Sequence, residues 1–200
     1  MSEQKRSYYN DLYLREDYRT GAWYTREPTT SRLRLAASLI PQGSKVFDFG
    51  CGPGWFAECI EASVSIKRYV GIDFSEQAIS IAQNTFGANH DVFSFHKHDI
   101  REEIDLDFDR DSIIVCCETL EHIENDLDVI ALWPSNVPIL ISLPTFGGES
   151  HVRTFKHDSD IVDRYKNVLD LRNVVFHTIT NPHDQGIIWR TFKTQKHEDV

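Results

Sequence analysis

The sequence predicts an α/β protein with a mainly parallel sheet, helices on both faces of that sheet, and a closing antiparallel hairpin. Between residues 30 and 165, short apolar segments alternate with segments whose apolar residues have helical spacing. Such alternation is typical of parallel sheets, because each helix carries the chain back to the same edge of the sheet. Near the C-terminus, two strand-like segments are joined by the turn-rich sequence Asn-Pro-His-Asp-Gln-Gly, which predicts the hairpin.

The predicted elements begin with residues 4–17, which carry aromatic and apolar side chains at near-helical spacing. A helix over about 30–39 then ends at the turn residues 41–43. The predicted strands cover residues 45–49, 68–72, 92–98, 112–117, 139–143, 173–180 and 187–194, and the helices between them cover 55–62, 75–82, 127–132 and 160–165. A chain of 200 residues fits one domain of ordinary size.

The composition disfavours several classes of function. The chain has 31 acidic and 21 basic residues, a net charge of −10, which is unfavourable for general binding of nucleic acid or anionic membranes. No apolar run approaches the roughly 18 residues that span a bilayer, and the polar N-terminus does not resemble a signal peptide. The cysteines form no C-x-x-C pair, so we expect reduced thiols in a cytoplasmic protein. We expect this protein to be a monomer or a homodimer.

A glycine-rich loop follows the first predicted strand. Asp48, Gly50, Gly52 and Gly54 have the spacing D-x-G-x-G-x-G, between a strand and a helix. Glycines allow a tight turn and a close approach of backbone to ligand. The spacing differs from the G-x-G-x-x-G of dinucleotide sites and lacks the Lys-Ser/Thr of a phosphate-binding loop. We therefore predict a ligand without a pyrophosphate, with Asp48 facing its ammonium end.

Acidic residues also end the second and third predicted strands. Asp73 follows the second strand and can accept hydrogen bonds from two ribose hydroxyls, while Phe74 can pack on an adenine face. Asp99 and Ile100 follow the third strand, where a carboxylate can accept a hydrogen bond from an adenine amino group. The order of these groups after successive strands predicts an adenosine-containing ligand at one sheet edge.

With these motifs, residues 30–194 resemble a class I S-adenosylmethionine-dependent methyltransferase. The resemblance is to the branch of the ubiquinone-biosynthesis O-methyltransferases and the nodulation-type small-molecule methyltransferases. It implies a three-layer Rossmann-like fold with a seven-stranded, mainly parallel sheet and a C-terminal antiparallel hairpin. It further implies that the glycine loop binds the methionine part of the cofactor, Asp73 the ribose and Asp99 the adenine.

The segment after the fourth strand, Glu118-Thr-Leu-Glu121-His122, resembles the E-x-x-E-H segment of ubiquinone-biosynthesis O-methyltransferases and of small-RNA 2′-O-methyltransferases. In those groups the two glutamates, the histidine and a later histidine bind a metal. On a helical turn, Glu118, Glu121 and His122 can share one face and hold Mg²⁺ or Mn²⁺. Similar segments also occur in metal-free methyltransferases, where the histidine has a structural role. Both readings remain open from the sequence.

The loop after the fifth strand contains His151-Val-Arg153-Thr-Phe155. A similar H-x-R-x-F loop faces the substrate in relatives. His151 is therefore the candidate fourth metal ligand or the general base, because an imidazole titrates in the useful range. With His122 and Glu118 it forms the predicted catalytic group.

Residues 1–28 resemble the lid of these methyltransferases and precede a domain over residues 29–200. The segment interleaves aromatic residues with arginines. Just beyond it, Arg32 shares a helix face with apolar residues, so it is the arginine expected to face the cofactor carboxylate.

The predicted function is methyl transfer from S-adenosylmethionine to a hydroxyl of a small molecule, a sugar or a phenol. N-methylation of a small amine and metal-dependent RNA 2′-O-methylation are alternatives, the latter opposed by the acidic charge. A regulatory domain that binds the cofactor without catalysis is the non-enzymatic alternative.

Overall fold

The computed structural model describes residues 2–20, 29–86, 91–180 and 187–197. The strands are β1 (Lys45–Phe49), β2 (Arg68–Asp73), β3 (Phe93–Lys97), β4 (Ser112–Cys117), β5 (Ile139–Pro144), β6 (His177–Thr180) and β7 (Ile187–Thr194). The helices are α1 (Arg6–Leu14), α2 (Glu16–Arg19), α3 (Thr29–Ser38), α4 (Trp55–Ser63), α5 (Glu76–Phe86), α6 (Asp126–Ala131) and α7 (Asp158–Tyr165). A 3₁₀ turn, Leu120–His122, lies between β4 and α6.

The seven strands form one sheet in the order β3-β2-β1-β4-β5-β7-β6. The first five are parallel, and β7 pairs antiparallel with both β5 and β6. The predicted fold class is confirmed. The strand order reverses between β1 and β4, and in open α/β sheets such a switch point leaves a crevice at the carboxyl ends of the strands.

Period-two alternation along the strands builds a core on each face of the sheet. Val46 packs with α3, α4 and α5, whereas its neighbour Phe47 packs on the side of α6 and α7. Ile113 and Ile114 on β4 divide in the same way. Because successive side chains of a strand point to opposite faces, continuous apolar strands require helices on both sides.

Two elements differ from the prediction by four residues at one end, and the others by no more than two residues at either end or, in the N-terminal segment, by a division into two helices. The sixth strand begins at His177 rather than at residue 173, because Val174 and Phe176 pack against the core without a partner strand. The helix predicted over 75–82 runs to Phe86, whose ring stacks on Phe93 with centroids 4.9 Å apart. The joining hairpin loop, 181–186, and part of the predicted lid, 21–28, lie outside the described residues.

All four cysteines are unpaired thiols. Cys116 packs on the α6–α7 face of the sheet and Cys117 on the other, as adjacent strand residues must. Among the described helices, none is long and apolar enough to cross a membrane.

Candidate functional site

A cavity of about 280 Å³ lies at the carboxyl ends of β1, β2 and β4, where the strand order reverses. The loop after β1 forms its floor, and α1 from the N-terminal segment covers it. The groups predicted from widely spaced motifs line this same cavity, including Asp48, Asp73, Asp99, Glu121, His122 and His151. The topology therefore brings the cofactor motifs and the E-x-x-E-H segment to one place.

The glycine loop turns through backbone conformations that only glycine adopts easily. Gly50 and Gly52 have φ angles of 79° and 53°, in the left-handed region. A Cβ on Gly50 would lie 2.3 Å from Oγ1 of Thr119, and one on Gly52 would lie 3.1 Å from the hydroxyl of Tyr13. The loop is thus a cradle without side chains, closed from above by α1. Gly54, also left-handed, precedes α4 as its N-cap.

Asp48 is almost completely buried at the end of β1 and accepts a hydrogen bond from the hydroxyl of Tyr69. The pKa of Asp48 is raised to about 7, mainly by burial. The hydrogen bond from Tyr69 acts to lower this pKa, and the nearby carboxylate of Asp73 adds to the rise. The ionised form is thus costly at neutral pH unless a positive group comes close.

Asp73 at the end of β2 is held by backbone amides. Its carboxylate accepts from the N–H of Gly52 at 3.0 Å and from the N–H of Ser75 at 2.8 Å. Burial raises its pKa to about 6, although both hydrogen bonds act to lower it. Asp73 therefore fixes the glycine loop against β2 while one side of its carboxylate lines the cavity.

At the predicted adenine end, Asp99 lies with Phe74 and Ile100 on the cavity wall. The guanidinium of Arg101 donates to both oxygens of Asp99. Burial raises the pKa of Asp99, but the hydrogen bonds and charge of Arg101 outweigh it, so the pKa is lowered overall. Arg101 lies over the Phe74 ring as well, 5.8 Å from its centroid.

The N-terminal helix α1 reaches both halves of the cavity. Asn10 accepts a hydrogen bond from the Ser75 hydroxyl at 2.7 Å. The Tyr9 ring lies between Phe74, at 5.3 Å, and His122, at 6.0 Å between centroids. The Tyr9 hydroxyl is buried and has no hydrogen-bond partner among the described residues. The sequence did not single out Tyr9 within the aromatic N-terminal segment.

Glu118 lies apart from the groups with which it was predicted to act. It has a left-handed φ of 53°, and only residues 120–122 form a helical turn, so the shared helical face expected for Glu118, Glu121 and His122 does not form. Its carboxylate instead accepts from the Ser142 hydroxyl at 2.9 Å and from the Trp189 indole at 2.6 Å.

Arg32 completes this buried group. It is 4% exposed, its Nη1 lies 3.5 Å from Oε1 of Glu118, and its guanidinium lies 5.3 Å from the Trp189 ring centroid. Its Nε makes no hydrogen bond among the described residues. The sequence analysis did not identify Trp189, because it lies on β7, 71 positions from Glu118, and no local pattern links the two residues.

Glu121, His122 and His151 form a compact cluster. One potential ligand atom from each lies within 4.8 Å of the others. Glu121 is fully buried, and neither of its oxygens makes a hydrogen bond among the described residues. Burial, followed by the charge of Glu118, raises the pKa of Glu121. Nε2 of His122 lies 3.5 Å from Oε1 of Glu121, without a formed hydrogen bond. A buried carboxylate that makes no hydrogen bond among the described residues is costly, so this group is arranged for a cation or a hydrogen-bond donor.

Both imidazoles of the cluster are oriented by backbone carbonyls. Nδ1 of His122 donates to the carbonyl of Ser150 at 2.9 Å, and Nδ1 of His151 donates to that of Phe146 at 3.0 Å. A carbonyl only accepts, so in the neutral rings the free lone pairs are on Nε2. Burial lowers the pKa of His122 to about 4 and also lowers that of His151. Two neutral rings with free Nε2 atoms therefore stand beside Glu121.

The loop that carries His151 faces the cavity only in part. Arg153 of the H-x-R-x-F motif does not face the cavity but points inward, where it donates to the carbonyls of Leu120, Ile123 and Glu124. Phe155 is buried in the core. Of this motif, His151 alone lines the cavity.

Comparison with known proteins identifies the family of the chain. The family described as a methyltransferase domain matches residues 20–133, more than half of the chain. The chain belongs to the class I S-adenosylmethionine-dependent methyltransferases. A curated relative, the ubiquinone biosynthesis O-methyltransferase of Thiobacillus denitrificans, is 34% identical over 107 residues, 50% of this chain and 43% of that protein. This methyltransferase chain spans about two fifths of the length of the curated relatives it matches.

Solved structures show the same methyltransferase fold. The N-methyltransferase NodS of Bradyrhizobium japonicum, in complex with S-adenosylhomocysteine, has a TM-score of 0.71 at 15% identity, with 96% of this chain and 98% of that chain covered. The small RNA methyltransferase HEN1 has a TM-score of 0.68 at 17% identity, with 86% and 26% covered. At such identities the similarity concerns the fold.

The residues of this methyltransferase fit the cofactor of its family. Gly50 and Gly52 line the cavity with backbone alone, a Cβ at either position would crowd Thr119 or Tyr13, and Asp73 presents a buried carboxylate beside this loop. Close approach of backbone to ligand and a carboxylate after the next strand are what an adenosine cofactor requires. S-adenosylmethionine is therefore the cofactor that this cavity accommodates.

Proposed function

We propose that this methyltransferase transfers a methyl group from S-adenosylmethionine to a hydroxyl of a small molecule, a sugar or a phenol. The observation that supports this most is the position of Glu121, His122 and His151, which share one cavity with the cofactor loop. The Glu121 carboxyl group and two neutral imidazoles can accept hydrogen bonds or a proton. They therefore suit a substrate hydroxyl, which must lose its proton when it is methylated.

The cofactor would lie along the carboxyl edge of the sheet. Gly50, Gly52 and Gly54 would contact its methionine part, and Asp48 would face the ammonium group, whose charge offsets the cost of burying this acid. Asp73 would accept from the ribose. Phe74, Asp99 and Ile100 would border the adenine, and the free Nε of Arg32 would reach the carboxylate. When bound, the cofactor supplies an electrophilic methyl group, so the protein's main task is to position the acceptor in line with it.

A divalent cation, Mg²⁺ or Mn²⁺, would be held by Glu121, His122 and His151. The donor set fits: one buried carboxylate that makes no hydrogen bond among the described residues, and two Nε2 atoms whose rings are oriented by carbonyls, as metal-binding histidines usually are. Glu118, the fourth predicted ligand, is instead engaged by Ser142 and Trp189. A bound cation would acidify and orient a substrate hydroxyl.

Without a cation, His151 is the candidate proton acceptor. Its Nδ1 donates to the carbonyl of Phe146, and its lowered pKa leaves Nε2 unprotonated at neutral pH. The acceptor hydroxyl would give its proton to Nε2 as its oxygen bonds to the methyl carbon and the methyl–sulfur bond breaks, so that the leaving group is the neutral thioether, S-adenosylhomocysteine. His122 is the weaker candidate, because burial lowers its pKa to about 4.

The charges on the cavity wall favour a small acceptor without phosphate groups. Among the described residues that line the cavity, Arg32 is paired with Glu118, and Arg101 with Asp99 and Glu3. Binding of RNA requires cations that are free to meet phosphates. A net charge of −10 opposes it further.

The test is methyl transfer from radiolabelled S-adenosylmethionine to separate acceptors: catechol, glucose, a primary amine and a short RNA. We expect transfer to a hydroxyl compound, loss of turnover in EDTA and its return with Mn²⁺. Glu121→Ala and His122→Ala should each lower turnover at least 100-fold and spare S-adenosylhomocysteine affinity, whereas the exposed Glu103→Ala should not. Full activity in EDTA would reject the cation and leave His151 as the base. Transfer to RNA or amine alone would reject the proposed acceptor.

We also propose that residues 1–28 act as a lid over a domain formed by residues 29–200. Support comes from α1, which lines the cavity through Tyr9 and Tyr13 and is tied to the domain by the hydrogen bond from Ser75 to Asn10. Limited proteolysis without ligand should cut within residues 15–28, and S-adenosylhomocysteine should protect that region. Equal cleavage in both states would show a permanently docked segment.

A further inference from the structure

Arg153 joins two loops that the sequence places far apart. Its Nη1 donates to the carbonyl oxygens of Leu120 at 2.6 Å and of Ile123 at 2.5 Å, and its Nη2 donates to that of Glu124 at 2.8 Å. Leu120 is the first residue of the 3₁₀ turn that carries Glu121 and His122, and Ile123 and Glu124 directly follow that turn. The guanidinium therefore satisfies carbonyls at the end of a short turn that has few partners of its own.

The guanidinium of Arg153 also forms an ion pair with a buried carboxylate. Asp126 is fully buried, and its Oδ2 lies 3.2 Å from Nη1 of Arg153. Two residues of α7 fix Asp126 in turn: Arg164 donates to Oδ1 at 2.5 Å, and the Tyr165 hydroxyl donates to Oδ2 at 2.7 Å. Because Asp126 is fixed from α7, Arg153 has little freedom to turn away.

Two further hydrogen bonds join the same loops on the cavity side. The N–H of Val152 donates to the carbonyl of Glu121 at 2.8 Å, and Nδ1 of His122 donates to the carbonyl of Ser150 at 2.9 Å. His151 lies between these two contacts, with its ring centroid 4.8 Å from that of His122. The position of His151 relative to Glu121 and His122 therefore depends on how these loops are joined.

We propose that Arg153, backed by Asp126, is a positioning residue that sets the spacing of the Glu121–His122–His151 cluster. It contacts neither the cavity nor a ligand, and it acts through the carbonyls that it holds. A planar fork with several N–H donors suits this task, because one side chain can bond several carbonyls and a carboxylate at once. The inference rests on the proposed function only in treating the three cluster residues as working groups.

Arg164 provides the matched control. It is also an arginine bonded to Asp126, but among the described residues it bonds neither to the turn nor to the His151 loop. Arg153→Met and Arg164→Met each remove one cation from the same buried acid. Both variants should lower the melting temperature, so a difference in cluster geometry separates positioning from general stability.

The first measurement is Mn²⁺ binding to the full chain, followed by electron paramagnetic resonance of free Mn²⁺. We expect Arg153→Met to weaken Mn²⁺ binding about 10- to 100-fold, the range found for residues that orient metal ligands. Arg164→Met should stay within about threefold of the wild type, and Arg153→Lys should fall between the two. S-adenosylhomocysteine affinity should be unchanged in all three variants.

The second measurement needs no metal. The nuclear Overhauser effect between the ring protons of His122 and His151 should be present in the wild type and in Arg164→Met and lost in Arg153→Met. If the wild type binds no Mn²⁺, the proposed cation site fails and the ring-to-ring effect alone decides the role of Arg153. An unchanged effect in Arg153→Met, or equal losses in both Met variants, would overturn the proposal.

Discussion

The two halves of the cavity differ in how completely the chain satisfies its own polar groups. On the cofactor side, Asp48, Asp73 and Asp99 each accept hydrogen bonds from the protein. On the other side, both oxygens of Glu121 and the hydroxyl of Tyr9 are buried without partners among the described residues. The acids of the cofactor half are thus already bonded by the protein, although Nε of Arg32 makes no hydrogen bond among the described residues, whereas the buried acid of the other half is left for a ligand or a proton to satisfy. A buried group without a partner costs stability, so its retention points to a function.

The largest effect is expected where the cofactor half is physically blocked. Gly52→Val places a branched side chain in the cradle and beside the Tyr13 hydroxyl, at a φ of 53°. We expect S-adenosylhomocysteine binding to fall at least 100-fold by calorimetry, a change of about 3 kcal/mol or more. Gly43→Val is the matched control, because Gly43 has a φ of 78° with open space around its Cβ position. Equal losses in both variants would attribute the effect to backbone strain alone.

The cofactor half was largely predictable because its signals are local. Gly50, Gly52 and Asp73 follow their strands within a few residues, so strand position and spacing suffice to place them. The other half depends on contacts between distant segments. The left-handed conformation of Glu118 turns its carboxylate toward Trp189, and Arg153 is drawn inward by Asp126. Neither contact has a counterpart in local periodicity, which is why a shared helical face was expected for Glu118 and why the role of Arg153 was not predicted.

The pH dependence of the free energy of unfolding tests whether the buried, ionised carboxylate of Asp48 destabilises the protein. Burial raises its pKa to about 7, so between pH 4 and 7 the unfolded chain ionises first and stability falls as pH rises. Asp48→Asn removes this titration. Its free energy of unfolding relative to wild type should therefore rise between pH 4 and 8, by up to roughly 4 kcal/mol.

Asp73→Asn calibrates that measurement. Its pKa is raised less, to about 6, so the same comparison should show a smaller gain of the same sign, completed at lower pH. Urea unfolding at several pH values measures both variants. A relative stability of Asp48→Asn that does not change with pH would mean that Asp48 ionises normally in the folded chain. S-adenosylhomocysteine should bind both variants more weakly at pH 8, because each loses a charge that faces the cavity.

The smallest effect compares one hydroxyl from each half. Tyr69 donates to buried Asp48, so Tyr69→Phe leaves that acid without its donor and should cost about 1–3 kcal/mol. The Tyr9 hydroxyl is equally removed from water but forms no well-aligned hydrogen bond among the described residues, so Tyr9→Phe should change the free energy of unfolding by less than about 0.5 kcal/mol, or raise it. Urea unfolding at pH 7 without ligand measures both. A cost above 1 kcal/mol for Tyr9→Phe would show that the hydroxyl is already bonded in the empty protein. The two halves of the cavity would then differ less in how completely the protein satisfies its own polar groups.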